Sequence, residues 1–290
     1  MLEVEPTGAA CGAVVRGVDF SRPVEAGTVA AVRRAWLEHH VLVFPEQSLG
    51  HEDMVRFGEY FGPIGDDPYF KPIDGHDRIA AIYRGPEETG RVFADSFHSD
   101  WSFQVVPPSG SFLYGITIPP VGGDTNFSNQ HLALEAMPPE MRARFDGLVG
   151  LHSARGAYAN DGRYAAENYS GGMAIRTSDS ANAVHGHPIV RDHPETGRPG
   201  LFGGSYVFAF EGLPEAESRE RVKELSAWQA RPEFIYRHVW QPGMLVLWDN
   251  RSVLHQATGG YEGHERLLHR LTVADDAGYH LPDARPRLSA

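Results

Sequence analysis

The chain has 290 residues, of which 41% are hydrophobic and 22% charged, an ordinary composition for a globular protein with a sizeable core. Its formal net charge of −12 lacks the basic footprint of a nucleic-acid-binding protein, although a local arginine pocket can still bind an anion. A single cysteine (Cys11), no signal-peptide pattern and only short apolar runs predict a cytoplasmic protein without an intrachain disulfide or a membrane segment.

The first half of the chain alternates predicted helices with short strands. Apolar residues at helical spacing predict helices over 28–39 and 50–61, and a proline in the first turn favours a third over 139–145. Predicted strands cover 41–44, 79–83, 96–103, 111–116 and 125–128.

The second half contains a long segment, 153–183, that is rich in Gly, Ala, Asn, Ser and Tyr. Because so long a loop is usually functional, we interpret it as a candidate lid, with surface disorder as the alternative. A turn at 192–197 precedes an amphipathic helix over 215–227, and the tail after Asp276 is predicted to fray. Predicted strands cover 234–239, 244–249 and 266–273.

Short strands dominate the middle and the end of the chain, and helices lie mainly near its start and between strands. This pattern favours an antiparallel sandwich or barrel with helices packed outside. We find neither an internal repeat nor a linker, so we expect a single domain over 1–290 with a core at about 3–276.

Three histidine–acid pairs have the i, i+2 spacing that puts two side chains on one face of a strand: His51/Asp53, His98/Asp100 and His193/Glu195. The first pair falls in a predicted helix, where side chains two residues apart diverge by about 200°. The third falls in a predicted surface turn, where solvation is expected. His98 and Asp100 therefore remain as candidate metal ligands, with a plain His–Asp hydrogen bond as the alternative.

A third metal ligand should come from a distant part of the chain. His255 follows the predicted buried strand 244–249 after a short turn, so it is the candidate. Two histidines and one carboxylate on one face of the metal are the ligand set of non-haem Fe(II) oxygenases. Considered alone, His255 also fits a capping or surface histidine.

Two arginines share one face of the predicted strand 266–273. If Arg266 and Arg270 point into a barrel, their guanidinium groups are buried, and burial of an unpaired charge costs several kcal/mol. Guanidinium groups bind carboxylates in a bidentate way, so these arginines predict two anions, a 2-oxo acid and a substrate. An edge strand with solvated arginines is the alternative.

With their order and spacing, these motifs resemble the taurine dioxygenase/2,4-dichlorophenoxyacetate dioxygenase family of Fe(II)/2-oxoglutarate enzymes over roughly residues 3–276. The resemblance rests on Phe97-His98-Ser99-Asp100, Gly122-Gly123-Asp124-Thr125, Trp248-Asp249-Asn250-Arg251 with His255, and Arg266-Leu267-Leu268-His269-Arg270. It implies a mainly β protein with flanking helices (α+β), whose core is a double-stranded β-helix, or jelly roll.

The resemblance also implies an activity and a role for individual residues. The implied enzyme hydroxylates a small anionic substrate (a sulfonate, sulfate or carboxylate) with Fe(II), 2-oxoglutarate and O2, and releases succinate and CO2. The implied ligands are His98, Asp100 and His255 for iron, Arg266 and Thr125 for 2-oxoglutarate, and Arg270 for the substrate anion. Retention of Asp100 argues against a halogenase, which needs that coordination position for halide.

Two positions depart from the pattern of the taurine-type members. Asp67 stands where those members have a histidine, and Ala94 stands where they have an asparagine, which puts taurine itself in doubt as a substrate. We interpret Asp67 as a solvated loop acid, with contact to a substrate ammonium group as the alternative.

Other classes of protein remain open at this point. A jelly-roll isomerase or small-molecule sensor would use the metal ligands but has no reason for Arg266, Thr125 and Arg270. A structural or interaction protein would leave the buried charges unexplained. As partners we expect a small-molecule substrate and further copies of the chain in a homo-oligomer, with neither nucleic acid nor membrane.

Overall fold

The computed structural model describes residues 2–275, so the tail predicted to fray lies outside the described residues. The strands in the first half are β1 Glu3–Pro6, β2 Ala13–Arg16, β3 Val41–Phe44, β4 Ala80–Arg84, β5 Gly110–Thr117, β6 Thr125–Asn129 and β7 Val149–His152. Those in the second half are β8 His185–Pro188, β9 Val190–Asp192, β10 Pro199–Leu201, β11 Val207–Phe210, β12 Ile235–His238, β13 Leu245–Asp249, β14 Val253–Ala257 and β15 Arg266–Val273.

The α-helices are α1 Ala26–His39, α2 His51–Glu59, α3 Gln130–Glu135, α4 Pro139–Arg142, α5 Arg155–Tyr158 and α6 Glu215–Gln229. Short 3₁₀ helices cover Asp179–Asn182 and Pro232–Phe234. The predicted helices are confirmed, although α4 is shorter than expected. Within the described residues, the structure contains no helix that meets the length and hydropathy needed to cross a membrane.

A seven-stranded sheet forms the larger layer, with the strand order β1-β2-β3-β13-β5-β15-β4. Its pairs are antiparallel except for β2 with β3. In this register Ser111 of β5 lies opposite Trp248 of β13 on one side and Thr272 of β15 on the other. The long strand β15 is therefore held between two neighbours, which excludes the edge-strand alternative for its arginines.

The two faces of this sheet bury different apolar sets, because side chains alternate along each strand. The outer face, with Phe112 and Leu247, packs against Trp36 of α1 and Phe57 of α2. The inner face, with Trp248 and Leu268, packs against a second sheet of order β12-β6-β14 through residues such as Phe127. The expected sandwich with helices outside is confirmed, and the site lies between the two layers.

Two smaller sheets, β11-β7-β8 and β10-β9, complete the fold. Helices α3, α4 and α6 pack beside them around a third apolar cluster that includes Phe145, Phe210 and Leu225. The predicted turn at 192–197 connects β9 and β10, which pair as a hairpin. This hairpin folds back towards α1, a placement that matters for the buried charges described below.

Candidate active site

The first histidine of the candidate site does not lie on a regular strand, so the prediction for 96–103 is wrong. His98 instead forms an isolated bridge with His255 of β14, through amide–carbonyl hydrogen bonds of 3.0 and 2.8 Å. The chain then turns, with Trp101 at a φ of 48°, a left-handed conformation that is unusual for a bulky residue. The bridge, not strand alternation, brings the two imidazole rings to 4.2 Å between centroids.

The turn after His98 directs the carboxylate of Asp100 at both imidazoles. Its Oδ1 lies 3.7 Å from Nε2 of His98 and 3.8 Å from Nε2 of His255. Potential ligand atoms of the three residues all lie within 4.8 Å of one another, and all three residues are buried. Among the described residues, these three form the group of histidine, cysteine or acidic side chains that lies close enough together to hold a metal ion.

The protonation states of these side chains suit a divalent cation. Nδ1 of His98 donates to the carbonyl of Ser96 at 2.8 Å, which leaves the Nε2 lone pair free to face Asp100. Burial lowers the pKa of His98 and brings the pKa of His255 to about 3, so both rings are neutral near pH 7. Burial alone would raise the pKa of Asp100, but Arg270 and the two histidines hold it below its ordinary value. The donor set therefore fits ferrous iron.

Arg266 and Thr125 lie together beside this group. The guanidinium of Arg266 is buried, donates through Nε to the carbonyl of Gly123 at 3.1 Å, and forms no ion pair with the described residues. Burial lowers the pKa of Arg266 to about 10. Thr125 accepts from Nε1 of Trp240 at 3.0 Å, so its own hydroxyl proton is available to another acceptor. The two side chains can therefore bind a carboxylate.

The two glycines before Asp124 allow the chain to pass close to Arg266. Gly122 and Gly123 have φ values of 67° and 68°, which side chains rarely permit. A Cβ on Gly122 would lie 2.4 Å from the carbonyl oxygen of Gly260, and one on Gly123 would lie 3.1 Å from the Arg266 side chain. Residues with a side chain would therefore not fit at Gly122 and Gly123 in this fold.

Arg270 points into the same cavity but is already paired within the protein. NH1 donates to Oδ1 of Asp100 at 2.9 Å, and NH2 donates to Oδ1 of Asp67 at 3.3 Å. The guanidinium also lies 5.3 Å from the ring centroid of Phe70 and 5.1 Å from that of Trp101. Burial alone would lower the pKa of Arg270, but Asp100 and Asp67 raise it above its ordinary value, so the group stays charged.

The interpretation of Asp67 as a solvated loop acid is wrong. Its side chain is only 10% exposed, and its Oδ1 also accepts from Nε1 of Trp101 at 2.6 Å. The chain reaches this position because Ile64 bridges Val273, which lays the segment before Asp67 beside the end of β15. Burial raises the pKa of Asp67.

A cavity of about 270 Å³ joins these groups. The candidate metal ligands, Thr125, Arg266 and Arg270 line it together with many aromatic rings. The rings include Phe70, Phe93, Trp101, Tyr158, Tyr206 and Phe208. Charged and polar side chains, arginines among them, share the wall with these rings, a combination that can bind a small organic anion.

The segment 153–183 contributes part of this wall, and it is packed against the rest of the protein. Tyr158 stacks on Tyr69 with ring centroids 4.7 Å apart, and Oγ of Ser153 donates to the carbonyl of Ala181 at 3.1 Å. Met173 is buried in the same apolar cluster. The alternative of surface disorder is therefore not supported, and Arg155, Tyr158, Tyr164 and Tyr169 line the cavity.

His51 and Asp53 do not form a metal site together. Both residues lie in the first turn of α2, as predicted, and Asp53 accepts from the amide of Gly50 at 2.8 Å. His51 instead bonds His76 through ring nitrogens 2.7 Å apart.

The pair His193/Glu195 is buried, so the prediction of a solvated turn is wrong. Nε2 of His193 lies 2.9 Å from Oδ2 of Asp249, and Oε1 of Glu195 lies 2.8 Å from both Arg33 NH2 and Arg251 NH1. The β9–β10 hairpin is folded against α1 and the β13–β14 turn, which supply the opposite charges. Spacing within the turn gives no sign of these distant partners.

Two polar residues beside Asp100 were not singled out from the sequence. Oγ of Ser111 donates to Oδ2 of Asp100 at 2.7 Å, and Nδ2 of Asn250 donates to Oγ of Ser111 at 2.9 Å. A serine within a predicted strand carries no motif signal. Asn250 does lie in the Trp248–Arg251 segment, but its contact with Ser111 depends on the pairing of β5 with β13.

Comparisons with known proteins agree with this geometry. A family model described as "Taurine catabolism dioxygenase TauD, TfdA family" matches residues 3–272. The chain is 32% identical to the (S)-phenoxypropionate/alpha-ketoglutarate-dioxygenase of Sphingobium herbicidovorans, over 94% of this chain and 95% of the relative. It is 32% identical to an alkylsulfatase of Acinetobacter baylyi, over 91% of this chain and 82% of the relative.

A solved structure is also similar to this chain. The crystal structure of a taurine dioxygenase from Burkholderia xenovorans superimposes with a TM-score of 0.78 and 31% identity, over 100% of this chain and 97% of that one. The expected jelly roll, the dioxygenase activity and the use of Fe(II), 2-oxoglutarate and O2 are thereby confirmed, and a non-oxygenase isomerase or sensor is not favoured. The chain belongs to the taurine catabolism dioxygenase TauD/TfdA family.

Proposed function

We propose that this dioxygenase hydroxylates a small organic anion, a sulfonate, sulfate ester or carboxylate, whose acidic group is held by Arg270. The observation that carries the proposal is the group of His98, Asp100 and His255 in one cavity with two buried arginines. Two relatives support the substrate class, because one is named for phenoxypropionate and the other for alkyl sulfates, both organic anions.

In the proposed site, His98, Asp100 and His255 hold Fe(II), while Arg266 and Thr125 hold the far carboxylate of 2-oxoglutarate. Bound Fe(II) and 2-oxoglutarate would supply the oxidising power: with O2, 2-oxoglutarate would give succinate and CO2 as a substrate C–H bond is hydroxylated. Arg266 suits its role because it has a buried charge without an ion-pair partner among the described residues. Binding a carboxylate there offsets the cost of that burial.

The remaining residues position the substrate and exclude water. Arg270 is held from two sides by Asp67 and Asp100, so its orientation is set before a substrate arrives. The aromatic wall, including Phe70 and Trp101, covers its guanidinium. We assign segment 153–183 the role of a lid, because its side chains line the cavity that a substrate must enter.

At the level of the whole protein, we propose a single cytoplasmic domain over 1–290, with its core at about 3–276, that works as a homo-oligomer. The net charge of −12 supports a protein that binds neither nucleic acid nor an anionic membrane. Its partner is then the small-molecule substrate.

The proposal is tested by adding Fe(II) and 2-oxoglutarate without oxygen and recording the visible absorption band of the iron–keto acid complex. We expect the band with the wild type and with Asp95→Ala, a cavity carboxylate that pairs with Arg91 at 2.6 Å. Asp100→Ala should lose the band. A wild type without the band, or an undiminished band in Asp100→Ala, contradicts the assignment.

The substrate is then sought by following succinate release with small sulfonates, sulfate esters and carboxylates. Arg270→Ala should keep the 2-oxoglutarate band but raise the KM for the substrate. The matched control is Arg163→Ala, which removes an exposed arginine of the same cavity. Equal loss of 2-oxoglutarate and substrate binding in Arg270→Ala would contradict the proposal that Arg270 holds the substrate.

A further inference from the structure

The two carboxylate oxygens of Asp100 have different surroundings. Oδ1 faces the Nε2 atoms of His98 and His255, at 3.7 and 3.8 Å, and also accepts from NH1 of Arg270 at 2.9 Å. Oδ2 accepts a hydrogen bond of 2.7 Å from Oγ of Ser111, which lies on β5 and is fully buried. One oxygen is thus directed at the candidate metal position and the other is held by the sheet.

Ser111 is itself oriented by Asn250, in the turn between β13 and β14. Nδ2 of Asn250 donates to Oγ of Ser111 at 2.9 Å, while its Oδ1 accepts from Nε1 of Trp248 at 3.0 Å and from the amide of Asp100 at 3.4 Å. The Trp248 contact fixes which end of the amide is the donor, and the amide N–H takes a lone pair of Ser111. The hydroxyl proton of Ser111 is therefore directed to Asp100.

The same turn is tied to the segment that carries Asp100. Oγ of Ser99 donates to the backbone carbonyl of Asn250 at 2.7 Å. Both the backbone before Asp100 and its carboxylate, through Ser111, are therefore fixed to a single turn. That turn leads directly into β14, which carries His255.

We propose that Ser111 and Asn250 are positioning residues that fix Asp100 as a metal ligand through one oxygen only. The proposal rests on the metal site assigned above. Without the hydrogen bond from Ser111 the carboxylate could rotate, and metal binding would then have to fix its orientation at a cost in affinity. Residues that orient metal ligands typically change metal affinity or activity by about 10- to 100-fold when they are replaced.

The test compares Mn²⁺ binding to the full-length wild type, Ser111→Ala and Ser109→Ala by calorimetric titration. Mn²⁺ is chosen because it resists oxidation during the measurement. Ser109 is the matched control, because it is also buried but bonds the carbonyls of Val273 and Ala274 instead of Asp100. We expect at least about a tenfold loss of affinity in Ser111→Ala and none in Ser109→Ala.

Thermal unfolding separates positioning from general packing. The metal-free variants Ser111→Ala and Ser109→Ala should unfold at similar temperatures, while the upward shift on adding Mn²⁺ should shrink only in Ser111→Ala. Unchanged Mn²⁺ affinity in Ser111→Ala, or an equal loss in Ser109→Ala, overturns the proposal.

Three further variants test the hydrogen-bond chain from Asn250 through Ser111 to Asp100. Ser111→Thr keeps the hydroxyl and should retain Mn²⁺ affinity. Asn250→Leu should weaken it, and Ser111→Ala/Asn250→Leu should weaken it by less than the sum of the two single losses, since Asn250 acts in part through Ser111. Fully additive losses of Mn²⁺ affinity would contradict this hydrogen-bond chain. So would a Ser111→Thr variant that binds Mn²⁺ as poorly as Ser111→Ala. A wild type that binds no Mn²⁺ contradicts the proposed metal site instead, so the two failures are distinguishable.

Discussion

At the scale of single residues, Asp67 and Asp100 balance the charge of Arg270, the residue proposed to hold the substrate anion. A bound divalent metal offsets the charge of Asp100, which leaves Asp67 as the carboxylate that balances Arg270. Arg266 has no such partner among the described residues. We therefore expect the two arginines of β15 to bind anions with different affinities, although they share one face of one strand.

Replacing Asp67 with Asn should strengthen the binding of anionic substrates. The variant removes a negative charge 3.3 Å from Arg270 but keeps an oxygen that can accept from Trp101. At the effective dielectric of a protein site, one charge several ångströms from the substrate changes affinity by about tenfold. We expect the KM for an anionic substrate to fall by about that factor.

Asp66→Asn is the matched control, because Asp66 is the neighbouring acid in the same loop and is exposed. Steady-state kinetics with an anionic substrate and its neutral amide distinguish charge from shape. A KM that rises in Asp67→Asn, or that falls equally for the neutral analogue, would show that Asp67 does not act through its charge.

At the scale of elements, the turn between β13 and β14 connects the site to the rest of the fold. Asn250 faces Ser111 beside the site, whereas Asp249 and Arg251 face a buried charge cluster with His193 and Glu195. Through that cluster the turn is bonded to the β9–β10 hairpin and to α1. The metal-site geometry therefore depends on contacts between elements that are far apart in the chain.

Glu195→Gln should destabilise the protein strongly. Glu195 pairs with both Arg33 and Arg251. Its loss of charge leaves the buried Arg33 without an ion-pair partner among the described residues, whereas Arg251 keeps Asp249. Breaking a buried ion pair in this way costs about 3–5 kcal/mol in the free energy of unfolding. Urea unfolding followed by tryptophan fluorescence measures the difference.

The control for this prediction is Glu135→Gln, which breaks an exposed ion pair with Arg198. Exposed pairs contribute about 0–1 kcal/mol, so its unfolding curve should stay close to that of the wild type. A Glu195→Gln variant as stable as Glu135→Gln would mean that the cluster contributes little to stability.

At the scale of the whole molecule, the two-layer fold buries histidines that lie outside the proposed metal site. His40, His152 and His238 are buried, and burial lowers the pKa of each to about 3. In the unfolded chain these groups titrate near 6.5. Over the interval between these values the unfolded chain binds protons that the folded chain does not, so stability falls as the pH falls.

The free energy of unfolding should therefore be highest above about pH 6.5 and decrease progressively below it. Each such histidine contributes on the order of 1 kcal/mol per pH unit in that range. Urea titrations of the metal-free protein at about pH 7.5, 6 and 5 measure the slope. The variant His238→Gln should show a smaller slope than the wild type, and a free energy that stays flat down to pH 5 would contradict the prediction.

Features that depend on neighbouring residues and on residue type are predictable from the amino-acid sequence alone. Alternation and helical spacing predicted most strands and helices, because burial of one face repeats along a segment. The metal-ligand candidates and the arginines of 266–273 were identified because their chemistry is specific and their spacing matches a known family. Both arginines proved to be buried on one face of β15.

Which polar side chains meet depends on contacts between distant parts of the chain. The sequence predicts Asp67 and Glu195 in solvent, yet both are largely buried and paired with arginines that lie 203 and 56 or more residues away in sequence. The sequence predicts His98 on a regular strand, but an isolated bridge to His255 holds it in position, and the chain turns at Trp101 in a left-handed conformation. The physical reason is that a charged residue can be buried only when a partner is present, and partners at long range leave no local pattern in the chain.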